Sequence, residues 1–346
     1  MKLKSETLKL ILTHPFETAR GRSSSQTTVI VSIEDEGLVG LGEAASCGYL
    51  DQCAAETEKV LARMAPHLPV EPFAIEETMR ALEGHFGEFT SARCAVDIAL
   101  HDLVGKKLGV PLYKYFGLSA GEARKTSFTI GLDTVERVAE KVKEAKEYSI
   151  LKVKLGGADD VEIMKAVRGL TDATLRVDAN GGWKPDEAAK KMKVLAGLGV
   201  EFVEQPLQRE DLAGHAKLKK KGILPIILDE SVQTSKDIPA AAAACDGVNI
   251  KLTKAGGLRE AYRMIATARA CGLKVMLGCM VASSVKITAA AHLSPLADYL
   301  DLDGNLLIGN DPYRGVISAF GEMLLPDGPG LGLVDAFQAW QGEGKD

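Results

Sequence analysis

Hydrophobic and polar positions along the first third of the chain follow two successive periods. Met1 to Phe16 reads as a strand interrupted by Glu6, Lys9 and His14, and Thr28–Ile33 reads as a second strand. Glu34-Asp35-Glu36-Gly37 is a polar turn signal before a third strand over Leu38–Gly42. Helical spacing then takes over. Ala92, Ala95, Val96, Ala99 and Leu103 fall on one helical face, and Gly109 with Pro111 ends that helix. Strands followed by a block of helices predict an α+β domain over residues 1–118.

From about residue 126 short apolar runs alternate with helical periodicity. The runs are Thr126–Ile130, Leu151–Leu155, Thr174–Val177, Glu201–Val203, Ile226–Leu228, Val248–Lys251, Leu273–Leu277 and Tyr299–Leu302. Between the first two, Asp133 or Thr134 is placed to cap a helix whose apolar face is Val135, Val138, Ala139, Val142 and Ala145. Another helix opens after Gly256-Gly257, buries Leu258, Ala261, Ile265 and Ala268, and stops at Gly272. Eight strands with intervening helices predict an α/β fold, a TIM-type (β/α) barrel over residues 119–308. An open doubly wound sheet fits the alternation as well, but the glycine-rich phosphate fingerprint after its first strand is missing. The tail from about 309 to 346 is expected to pack back on the first domain.

Composition narrows the function without specifying it. The 346 residues are 46% hydrophobic and 26% charged, with a formal net charge of −5. That balance supplies no electrostatic reason for a nucleic-acid or membrane partner, and no apolar run is long enough to span a bilayer. The six cysteines, at 47, 53, 94, 245, 271 and 279, form no CxxC pair. Free thiols in a reducing compartment are the expectation, and with them a cytoplasmic location.

The informative pattern is charge at strand ends. Five consecutive barrel strands finish in Lys154, Asp178, Glu204, Asp229 and Lys251, spaced 24, 26, 25 and 22 residues apart. Residues at the C-terminal ends of barrel strands converge on one pocket. Charge on an apolar strand is costly to bury unless it is paired or binds a metal. Three carboxylates on adjacent strands make an all-oxygen set that suits Mg²⁺, with Ca²⁺ or Mn²⁺ as other occupants and barrel-mouth salt bridges as the purely structural reading. Lys152 and Lys154 lie two apart, so both point to the same side of their strand. A lysine near a divalent cation and a second ammonium can lose its proton more readily, and so remove one from carbon. With Lys154 on one side and Lys251 on the other, one deprotonates while the other returns the proton to the opposite face. A cation plus Lys152 would supply positive charge where an enediolate develops.

These motifs resemble a known family. Lys152-Val153-Lys154, Asp178-Ala179-Asn180, Glu204-Gln205-Pro206, Asp229-Glu230-Ser231 and Lys251-Leu252-Thr253-Lys254-Ala255-Gly256-Gly257 are similar to the muconate-lactonizing subgroup of the enolase superfamily. Ala95-Val96-Asp97-Ile98-Ala99-Leu100, Gly105-Lys106 and Gly109-Val110-Pro111-Leu112 look like that subgroup's capping domain, so the resemblance covers nearly the whole chain. It implies one Mg²⁺ per subunit on Asp178, Glu204 and Asp229, with Lys154 and Lys251 as the acid/base pair.

The eighth strand ends Asp301-Leu302-Asp303-Gly304, placing two acids on the same side. A polar turn would explain them, but beside three metal-binding carboxylates they suit a cationic substrate group such as a free α-ammonium. The pair, with Leu277-Gly278-Cys279-Met280, looks like that of the dipeptide epimerases. By that resemblance the substrate carboxylate meets the metal and Lys152, and the α-carbon of the second residue is inverted. Specificity is expected from a mobile loop at Thr18–Ser25, whose Ala-Arg-Gly run is similar to L-Ala-D/L-Glu epimerases. There Arg20 or Arg22 would pair with a side-chain carboxylate. Recycling of peptidoglycan peptides would follow, and homo-oligomerisation stays open. The alternatives are an o-succinylbenzoate synthase, N-acylamino acid racemase or cycloisomerase reaction on the same site, a metal-free Schiff-base aldolase, or a non-catalytic binding barrel.

Overall fold

The structure is a computed structural model, and it describes residues 1–18, 21–46 and 53–335. The chain opens with an antiparallel three-stranded sheet of β1 (Lys2–Thr18), β2 (Gly21–Asp35) and β3 (Leu38–Ala45), in sequence order. Helices α1 (Ala54–Met64), α2 (Ile75–Phe86) and α3 (Thr90–Leu108) pack on it. α3 is buried on all sides from Ser91 to Gly105. The stripe read from the sequence is the half that meets the sheet, while Cys94 and Ile98 on the other half join the barrel core. A helix apolar all round is what a position between two cores demands. β3 comes so near that a Cβ at Gly42 would lie 1.9 Å from the Ala95 carbonyl oxygen. After α4 (Leu112–Tyr115) the chain enters the second unit.

All eight predicted barrel strands form one parallel sheet in sequence order. They are β4 (Phe128–Ile130), β5 (Ile150–Lys154), β6 (Thr174–Asp178), β7 (Val200–Glu204), β8 (Ile226–Leu228), β9 (Gly247–Lys251), β10 (Lys274–Gly278) and β11 (Tyr299–Asp301). A parallel bridge between Thr126 and Leu300 joins the first strand to the last. The helices are α5 (Val135–Glu144), α6 (Asp160–Arg168), α7 (Pro185–Gly197), α8 (Leu212–Lys219), α9 (Ile238–Ala241), α10 (Leu252–Ala255), α11 (Leu258–Ala270) and α12 (Ser284–Ala291). Thr134 caps α5 by accepting the Arg137 amide. β11 is followed not by a helix but by a turn whose end, Ile308, bridges Leu12 of β1. Two short antiparallel pairings, β12 (Tyr313–Arg314) with β15 (Val334–Asp335) and β13 (Ile317–Ala319) with β14 (Glu322–Leu324), follow in the tail. The tail returns to the first unit: Gly330 exchanges backbone hydrogen bonds with Val110 and Leu112.

Within the segment expected as a loop over 18–25, the described residues, 18 and 21–25, belong to paired strands instead, with Thr18 opposite Gly21, Glu17 opposite Arg22 and Phe16 opposite Ser23. Arg22 therefore has its backbone in β2, and Arg20 lies outside the described residues. Cys53, Cys94, Cys245, Cys271 and Cys279 are free thiols, and Cys47 is outside the described residues.

Candidate active site

The parallel register aligns the charged strand ends at one level. Lys154 of β5 is the ladder partner of Asp178 in β6, and Asp178 that of Glu204 in β7. On the far side, Lys251 of β9 partners Gly278 of β10, which partners Asp301 of β11. Asp229 follows β8 by one residue and Asp303 follows β11 by two. The sequence spacing thus becomes a ring around the C-terminal mouth, because parallel strands of like length end together.

Ammonium groups interleave with the acids. Lys154 Nζ donates to Asp178 Oδ2 at 2.6 Å, and Lys251 Nζ to Asp229 Oδ2 at 2.7 Å. Lys152 Nζ lies 2.6 Å from Asp301 Oδ2, 2.7 Å from Glu204 Oε2 and 3.3 Å from Asp178 Oδ2. The lysine side chains differ in access: Lys154 is 11% and Lys251 7% exposed, against 1% for Lys152. The two lysines read as acid/base groups are the ones that reach the mouth from opposite sides, β5 and β9.

Titration follows from burial and neighbours. Burial pushes Glu204 up, and repulsion from Asp178 and Asp229 adds to it, bringing its carboxyl to about 7. Burial acts the same way on Asp178, but Lys154, Lys152 and Lys251 outweigh it and hold that carboxyl well below the usual range. Asp229 is also held well down, against its burial, by Lys251 and Lys254. Burial would lower Lys152, yet Asp301, Glu204 and Asp178 keep it well above the ordinary lysine value.

Asp301 and Asp303 are both buried at the mouth, but they are not equivalent. Asp301 spends Oδ2 on Lys152 and accepts the Ser127 hydroxyl on Oδ1 at 2.8 Å. Asp303 accepts the Thr129 amide on Oδ2 at 2.6 Å. Burial and then the charge of Asp301 raise Asp303 to about 6. Ser127 and Thr129, at and just before the adjacent first strand, were not singled out in the sequence, where nothing tells which first-strand residues meet the eighth.

Three further groups went unassigned. Asn249 Nδ2 donates to Glu204 Oε1 at 2.8 Å. Gln205 Oε1 accepts the Asp229 and Ser231 amides while its Nε2 donates to Leu207 O and Ser231 Oγ, so one side chain ties the ends of β7 and β8. Lys254, wholly buried, holds the other oxygen of Asp229. All three were visible inside or beside quoted motifs, but their roles depend on which strands are adjacent.

The three acids suit a hard divalent cation by donor type: they are all-oxygen, buried and on consecutive strand ends. Glu204 Oε2 accepts no hydrogen bond of good geometry, although the Lys152 ammonium is close. Ammonium groups stand between the carboxylates, and among the described residues no three acidic, histidine or cysteine groups close into a cage.

Comparisons with known proteins agree with this architecture. Residues 5–117 match the mandelate racemase / muconate lactonizing enzyme N-terminal domain, and 134–335 the enolase C-terminal domain-like family. An L-Ala-D/L-Glu epimerase of Bacteroides thetaiotaomicron is 41% identical over 96% of this chain and 88% of its own. An L-Ala-D/L-amino acid epimerase of Maribacter sp. is 40% identical, covering 96% and 98%. The dipeptide epimerase of Enterococcus faecalis V583, solved with Mg and L-Leu-L-Tyr, superposes with a TM-score of 0.92 at 31% identity over 96% and 98% of the two chains. The chain therefore belongs to the enolase superfamily, within the group of mandelate racemases and muconate lactonizing enzymes, among relatives that are dipeptide epimerases.

Proposed function

We propose that this chain is a Mg²⁺-dependent dipeptide epimerase that inverts the α-carbon of the C-terminal residue by a two-lysine proton transfer. The observation that carries it is the placement of Lys154 and Lys251 on opposite sides of one mouth, each reaching it beside a buried acid. Asp178, Glu204 and Asp229 are the residues that would hold one Mg²⁺ per subunit. Bound there, the cation would supply positive charge that favours an enediolate.

The chain's own groups do the rest. Lys152, kept charged by Asp301, Glu204 and Asp178, adds fixed positive charge at the carboxylate end. Either Lys154 or Lys251 takes the α-proton to its amine, and the other donates a proton to the opposite face, so the chain ends the cycle with its proton count unchanged. Asp301 and Asp303 supply negative charge for the substrate ammonium, which distinguishes this reading from β-elimination and cycloisomerisation. L-Ala-D/L-Glu is the substrate we favour. The L-Ala relatives and the sequence of the Arg20/Arg22 segment support it, and recycling of peptidoglycan peptides in the cytoplasm would be its setting. No helix among the described residues is long and apolar enough to cross a membrane.

The test is deuterium incorporation from D₂O into a panel of L,L-dipeptides with Mg²⁺. A one-dalton gain on L-Ala-L-Glu, removed by EDTA, is expected. Exchange confined to other dipeptides would keep the chemistry and discard the arginine assignment. No exchange on any dipeptide would overturn the function.

A further inference from the structure

Buried lysines are costly, and Lys254 is among the largest fully buried side chains of the protein. It stands in α10, three residues after Lys251, and its Nζ meets four oxygens. These are Asp229 Oδ1 and Asp229 O, each at 2.5 Å, Val232 O at 2.9 Å and Asn249 O at 3.0 Å. One ammonium thus gathers the end of β8, the loop after it and strand β9. No part of it reaches the mouth, so it has no route to substrate. Lys251 grips the second oxygen of the same carboxylate from the mouth side. Asp229 consequently has its rotamer set from behind by a group that the proton transfer does not use.

We propose that Lys254 is a positioning residue for Asp229, holding its carboxylate in the orientation that receives the divalent cation. The inference rests on Asp229 being one of the cation-binding acids. A partner behind a ligating carboxylate fixes its direction in advance, so less order has to be created when the ion arrives. A brace that served folding alone would need only the three backbone carbonyls; the contact with Oδ1 adds control over the side chain.

The experiment is titration of the intact protein with Mn²⁺, a paramagnetic stand-in for Mg²⁺, followed by electron paramagnetic resonance without substrate. Lys254→Met is expected to weaken Mn²⁺ binding about 10- to 100-fold, and Lys254→Gln, which retains an N–H donor, by less. Circular dichroism identifies the folded fraction. Where the Met variant does not fold, the Gln variant carries the comparison. Met192→Ala, in a barrel helix away from the mouth, serves as the control that loses stability without losing metal affinity. Folded Lys254 variants that melt earlier yet bind Mn²⁺ like the unaltered chain would overturn the proposal and leave a purely structural lysine. Failure of the unaltered chain to bind Mn²⁺ would instead overturn the metal assignment, and the positioning role with it.

Discussion

Two regions of this molecule bury acidic side chains, and they do so in opposite ways. Where the first unit meets the barrel and the returning tail, Asp102 accepts the Leu41 amide at 2.8 Å, the Leu331 amide of the tail at 2.7 Å and the Lys106 ammonium. Glu43 accepts the Ser283 amide and hydroxyl, the Lys286 amide and the Thr28 hydroxyl. Asp97 receives the amides of Leu258 and Arg259 at the start of α11. That last contact explains Gly257: φ there is +130°, and a Cβ would lie 2.3 Å from Asp97 Oδ2. At the mouth, by contrast, Asp178, Asp229 and Asp301 face mainly lysine ammonium groups. Backbone amides are fixed donors and make an acid a joint between elements. Side-chain ammoniums can move and exchange protons, so acids that face them are poised for chemistry. For Asp178, Asp229 and Asp301 against Asp97, Asp102 and Glu43, partner type more than burial separates site from scaffold; Asp303, which accepts the Thr129 amide, is the exception at the mouth.

The comparison breaks most sharply if the mouth lysines turn out to be structural. Lys154→Met and Lys251→Met should each reduce epimerisation, which needs both faces served, by about 10³-fold or more. Asp178 retains Lys152 and Asp229 retains Lys254, so their melting temperatures should stay near that of the unaltered chain. Loss of folding together with activity would put these lysines in the same class as Lys106.

Asp102→Ala should do the reverse. Two buried amides lose their acceptor, at a cost of about 3 kcal/mol of stability measured by urea unfolding. Activity per folded molecule should be unchanged.

Acid sensitivity sharpens the picture of the interface. His292 is buried, stacked on Tyr113, and accepts the Tyr113 amide on Nδ1. Burial brings its imidazole down to about 4, against the hydrogen bond to the Leu331 carbonyl, which pulls it up. Below about pH 6.5 the unfolded chain takes up a proton that the folded chain refuses, so stability falls as pH drops from there towards 4. Unfolding free energies from urea titration at pH 7.5 and 4.5 should differ by about 2.5 kcal/mol more in the parent than in His292→Gln. Equal differences would show that another group sets the acid limit.

The smallest effect is expected where charges are exposed. Arg263 and Glu76 meet at 3.2 Å with side chains 44% and 58% exposed. Arg263→Ala should cost less than about 1 kcal/mol and leave exchange intact, because solvent screens the pair.

Much of this was legible in the chain itself. The eight strands and their spacing follow from local periodicity, and a βα unit of near-constant length brings Lys154, Asp178, Glu204, Asp229 and Lys251 to one end. What spacing could not supply was adjacency around the closed barrel. Ser127 and Thr129 meet Asp301 and Asp303 only because the first strand lies against the eighth, more than 170 residues away in sequence. The Ser-rich segment after Gly21 lacks the alternation of a strand, yet pairing with β1 carries it as one. Likewise α3 displayed a single apolar stripe in the sequence, while packing between two cores buried its whole circumference. Residue types and their periods thus determined which elements form and which charges share a rim. Which ammonium faces which carboxylate, and which acid is held by backbone, was decided by tertiary closure, since those energies depend on distances that no local period encodes.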